Sequence, residues 1–178
     1  MKKLIIASAI AMTMASGAAM AATATNNMSG EVQFIGSVTA ETCDLVPSVG
    51  GATKNTIDLG TVTANETGNP VDFALVKADA AACTTMDAAM AAEVTWGGQF
   101  TPEGLSNTGG TAAGAIVLLD AMNAGTTPES INSAKQTVIF KEVKDKLDNG
   151  GLKFQAKLQG GAAPGTFLGT AYYAVAYK

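Results

Sequence analysis

Hydrophobic positions recur at every second residue along most of this chain, and the clearest run is the last one. In residues 165–178, GTFLGTAYYAVAYK, one face carries Gly165, Phe167, Gly169, Ala171, Tyr173, Val175 and Tyr177. Thr166, Leu168, Thr170, Tyr172, Ala174 and Ala176 fall on the other. Side chains of a strand point alternately to its two faces, so the first set is expected to be buried. Chain ends fray unless tied down, and a run this regular predicts a terminus that is paired and packed.

The period-two signal recurs upstream. Val32, Phe34, Gly36 and Val38 alternate with Gln33, Ile35, Ser37 and Thr39, which predicts a first strand. Further strands are expected at 56–62 (TIDLGTV), 71–77 (VDFALVK), 93–100 (EVTWGGQF), 115–122, 136–143 and 152–159, the last two joined by a turn that contains Lys, Asp, Asn and Gly. Residues 47–55 and 101–114 are dense in Gly, Ser, Thr or Asn and read as loops. Residues 85–92 space Ala and Met as a helical turn would, and a plain loop fits equally well. About eight strands with almost no helical periodicity predict an all-β fold, a sandwich of the immunoglobulin-like kind.

The N-terminal residues change the picture of where this domain works. Lys2 and Lys3 precede an apolar run, and Ala19-Met20-Ala21 offers a small-residue cleavage site. That layout predicts a secretory signal peptide over residues 1–21. The apolar run falls short of the roughly 20 residues that a membrane span needs. Residues 22–30, ATATNNMSG, carry no apolar stripe, and 31–178 form the expected domain. In an exported chain the two cysteines, Cys43 and Cys83, are expected to form a disulfide. Closing a loop of that size stabilises by roughly 4 kcal/mol on the chain-entropy estimate.

Charge narrows the function. The chain has 11 basic residues, all Lys, against 15 acids, and no His. Without residues 1–21 the balance is nine lysines against 15 acids. So acidic a chain lacks the basic face that nucleic-acid binding requires. Without His, Ser–His–Asp and Cys–His catalysis are ruled out, and two thiols alone do not complete a tetrahedral metal site. Gly109-Gly110 and Gly150-Gly151 do not continue into the GK[ST] of a phosphate loop. Asp145 to Gly150 resembles a calcium loop only until Leu147 and Ala156 fall where ligands belong. No catalytic residue, metal site or cofactor is expected. Six lysines cluster at 135–157, among them Lys135, Lys141, Lys144 and Lys146. A solvated face with a Lys-blunted strand edge is the plainer explanation, and a site for an anionic, sialylated glycan is the sharper one.

The order of VQFIGSVTAETC, TIDLGTV, VDFALVKADAAAC, LKFQAKL and the terminal strand resembles the chaperone–usher pilins, the structural subunits of bacterial fimbriae. Gly165, fourteenth from the end, and the penultimate Tyr177 match that family's pattern. WGGQF, GLSNTGGTAAG and LLDAMNAG look most like the major subunit of the fimbriae called K99, a group in which the shaft subunit is implicated in binding sialylated glycolipids. The resemblance implies a non-enzymatic subunit, exported through the periplasm to a fimbrium on the cell surface for attachment to host cells. It also implies an immunoglobulin-like sandwich lacking its last strand. A periplasmic chaperone lends that strand, and at the outer-membrane usher the N-terminal tail of another subunit replaces it by donor-strand exchange. The partners implied are thus other pilin subunits, chaperone, usher and, in the adhesin alternative, a host glycoconjugate. On this pattern residues 22–30 are the donor, with Ala22, Ala24, Asn26 and Met28 facing the groove. Val32 and Phe34 on one side, and Gly165, Phe167, Tyr173, Val175 and Tyr177 on the other, form its walls. The donor departs from the family in having only Met28 as a bulky residue, unless its register extends toward Val32.

Overall fold

The computed structural model describes residues 43–79, 81, 83–84 and 86–178, all within one compact unit. The signal peptide, the donor segment and the strand expected at 32–38, with Val32 and Phe34, lie outside these described residues.

The described chain is built almost wholly of antiparallel strands. They are β1 (Leu45–Val49), β2 (Ala52–Thr53), β3 (Val71–Lys77), β4 (Ala92–Gly98), β5 (Leu105–Ser106), β6 (Ile116–Ala121), β7 (Glu129–Ile131), β8 (Thr137–Phe140), β9 (Leu152–Gln159) and β10 (Ala171–Tyr177), with one short helix, α1 (Val143–Asp148). The larger sheet runs β2-β1-β3-β9-β6-β5, with β7 also paired to β6, and the smaller runs β10-β4-β8. The two sheets face one another across a core that is aromatic at its centre. Trp96 of the small sheet packs edge-on against Phe154 of the large one, with ring centroids 5.2 Å apart. Phe154 also stacks on Phe73 at 5.4 Å and meets Phe140 at 5.4 Å. Two inward faces that interdigitate in this way define a β-sandwich.

The strands expected at 71–77, 93–100, 115–122 and 152–159 are found within a residue or two. Others need correction. Residues 56–62 alternate in burial, with Ile57, Leu59 and Val62 half-buried against the core, yet they belong to no strand. Alternation records which way side chains face, whereas a strand also needs a ladder partner, and among the described residues this segment has none. Residues 47–55 were expected to be all loop, but they close a hairpin between β1 and β2. Gly50 and Gly51, at φ of 59° and 85°, make the two-residue turn that tightly linked strands need. The strand expected to reach 143 stops at Phe140, because Val143 and Leu147 are buried on α1 instead. The terminal strand begins only at Ala171. Residues 86–91 form a turn and no helix.

Candidate strand-acceptor groove

One edge of β10 is paired with β4 in full register, from Ala171↔Gly98 to Tyr177↔Ala92. Mutual backbone bonds between Lys178 and Ala91, both 2.9 Å, extend that pairing to the last residue. Backbone groups of an antiparallel strand alternate sides, so Lys178, Ala176, Ala174 and Tyr172 address β4. Ala171, Tyr173, Val175 and Tyr177 therefore turn their N–H and C=O groups to the opposite edge. No strand covers that edge among the described residues.

The run continues backward in the same sense. Leu168 accepts from the backbone N–H groups of Thr108 and Gly109, at 2.9 and 3.0 Å, and Thr166 accepts from Ala112 N–H at 2.9 Å. Asn107 ties this connection together. Its Nδ2 donates to the carbonyls of Ala112 and Thr166, at 2.8 and 3.1 Å. Its Oδ1 accepts from the N–H groups of Gly110 and Leu168, at 2.9 and 3.0 Å. A side-chain amide can stand in for a missing ladder neighbour in this way. Gly165 must be glycine here, since a Cβ would come within 2.5 Å of Ala112 N. Residues 165–170 are thus held by a loop on the same side that β4 holds residues 171–177.

Across the mouth of the sandwich lies β1, whose second edge is covered by β2 at Ser48 and Val49 and by no strand at its Leu45 end among the described residues. Asp44 C=O accepts from Ala78 N–H at 2.8 Å, on the β3 side. Alternation then turns the carbonyls of Cys43, Leu45 and Pro47 the other way. Lys54 N–H, just past β2, donates to Pro47 C=O at 3.0 Å. The remaining two carbonyls are reached from β10: Tyr177 OH donates to Cys43 O at 2.7 Å and Tyr173 OH donates to Leu45 O at 2.9 Å. Burial pushes the Tyr173 phenol above its ordinary value. Burial, helped by the nearby Asp44 carboxylate, pushes Tyr177 up to about 12. Both hydroxyls are therefore held as donors. The disulfide between Cys43 and Cys83 fixes the start of β1 in place.

Between the two edges the floor is apolar. Phe167, Tyr173, Val175 and Tyr177 of the terminal run pack half-buried on the core. The Tyr173 ring lies 5.6 Å from that of Trp96. Trp96 Nε1 is buried with no acceptor among the described residues. Phe167, Tyr173, Val175 and Tyr177, expected from the sequence on one face of the terminal run, all lie half-buried on the core. The sequence did not single out LVPSV, which carries a Pro and no alternation, or Asn107, whose bonds are visible only in three dimensions.

Lys135 and Lys141 lie at opposite ends of β8, about 20 Å apart along an extended chain. Lys135 pairs with Glu129 at 2.6 Å and Lys144 with Asp148 at 3.6 Å. Asp148 also pairs with Lys77 at 2.7 Å, and these contacts, led by the hydrogen bond from Lys77, hold its carboxyl below the usual range. Lys141 and Lys146 make no ion pair among the described residues. No group of three metal-ligating side chains occurs among them either.

No family profile matches the chain. The solved P pilus rod subunit PapA is similar over 74% of this chain and 99% of its own, at a TM-score of 0.41 and 15% identity. The F107 fimbrial protein of Escherichia coli is 38% identical over 179 residues, covering 100% of both chains. With identity of that order over its whole length, this chain belongs to the fimbrial protein family.

Proposed function

We propose that this chain is a structural subunit that polymerises head-to-tail by accepting a strand from another subunit and donating one of its own. The observation that carries the reading is the open edge of β10 facing the Leu45 end of β1, neither covered by a further strand among the described residues, over an apolar floor. Such an edge is a template for strand addition, in which main-chain bonds supply affinity and alternate side chains supply specificity. Donor and acceptor are different surfaces, so the contact does not close on itself and builds an open filament. A periplasmic chaperone fills the groove before assembly, an outer-membrane usher exchanges it, and the product is a fibre on the cell surface.

The donor is the segment 22–30, with Ala22, Ala24, Asn26 and Met28 facing the groove, or that segment with its register extended toward Val32. Only Met28 of the four is bulky, and an extended register would add apolar bulk. Loss of residues 22–29 should abolish SDS-resistant fibre ladders; ladders that survive the deletion refute the donor assignment.

The adhesin reading rests on Lys141 and Lys146, which make no ion pair among the described residues. Replacing both by Gln should reduce adhesion to sialylated cells with fibres of normal length. Full adhesion by such fibres removes these lysines from recognition.

A further inference from the structure

An inserted strand is held by main-chain N–H groups that donate to carbonyls along the free edge. At the start of β1 the carbonyls on that side, before the one capped by Lys54, are those of Leu45 and of Cys43 just ahead of the strand, and tyrosine hydroxyls already occupy both. A carbonyl taken out of water needs a donor, and leaving it without one costs more than the bond itself contributes. Among the described residues these phenols are the donors that meet that need.

We propose that Tyr173 and Tyr177 form a hydroxyl latch across the open mouth of the sandwich, which the incoming strand of a second copy displaces by placing its own N–H groups on Leu45 O and Cys43 O. The inference rests on the donor-strand reading above and adds which atoms are exchanged. The rings stay where they are, Tyr173 against Trp96, as part of the floor. Only the hydroxyls let go. The latch keeps two edge carbonyls satisfied while the groove waits, and its release is one step in strand uptake. Tyr172, on the outward face of the same strand and well exposed, takes no part.

The test uses the full chain isolated as a monomer and a fluorescent synthetic peptide with the sequence of residues 22–42, followed by anisotropy. Tyr173→Phe and Tyr177→Phe keep the rings and remove the hydroxyls. Each should speed peptide uptake by roughly two- to tenfold, the factor that one net hydrogen bond represents. Tyr172→Phe should change nothing. Unchanged or slower uptake in both single variants overturns the latch and leaves strand exchange standing. No uptake by the unaltered chain overturns both. The single variants are read separately, so misfolding of a double variant does not remove the test.

Discussion

Strands β9 and β10 carry nearly the same pattern and have different surroundings. In LKFQAKLQ, Leu152, Phe154, Ala156 and Leu158 point inward and are all buried, two of them completely. In AYYAVAY, Ala171, Tyr173, Val175 and Tyr177 point inward too, yet each is only half-buried. The difference is in neighbours. β9 lies between β3 and β6, whereas β10 has β4 on one side and no strand on the other among the described residues. Alternation reports the facing of side chains, and burial reports how many strands flank them.

The comparison is tested most severely by truncating one inward side chain on each strand. Phe154→Ala removes a ring that touches Phe73, Trp96 and Phe140. It should lower stability by about 3–5 kcal/mol in urea unfolding, with or without donor peptide. Val175→Ala should cost about 1 kcal/mol in the empty monomer, since the site is already partly wet. With the groove filled by the donor peptide the Val175 cost should rise to about 2 kcal/mol, the range for a fully buried valine. An equal Val175 cost in both states would mean that no strand inserts beside β10.

That contrast also explains what the sequence could reveal. Strands β3, β4, β6 and β9 are legible because each buries one face against the opposite sheet, so composition and alternation agree. Residues 56–62 alternate just as well, and were read as a strand, because burial of Ile57, Leu59 and Val62 needs no ladder. Strand β1 went unread for the opposite reason: its place is set by pairing with β3 and by the disulfide, while Pro47 and Ser48 blur the pattern. The groove was half legible. The tyrosines were marked by their spacing, but their acceptors, Cys43 O and Leu45 O, are backbone atoms more than 125 residues away in sequence and carry no side-chain signature.

The smallest effect separates the two strands by pH. No inward residue of β9 titrates, whereas β10 presents two phenols whose values are raised on folding. A raised phenol binds its proton more tightly in the folded chain than in the unfolded one. Its contribution is complete below about pH 10, the unfolded tyrosine value, and is lost as pH climbs through the folded one. For Tyr177 that window runs from about 10 to about 12. The urea midpoint should therefore fall over this interval. Lysines titrate in the same range, so the decisive quantity is the difference from a chain carrying Tyr173→Phe and Tyr177→Phe, whose alkaline decline should be shallower. Disulfide exchange does not confuse the measurement, because Cys43 and Cys83 are the only two cysteines and are joined. Identical declines in the two chains would show that the phenols are not buried in solution. The open mouth would then be wet rather than latched.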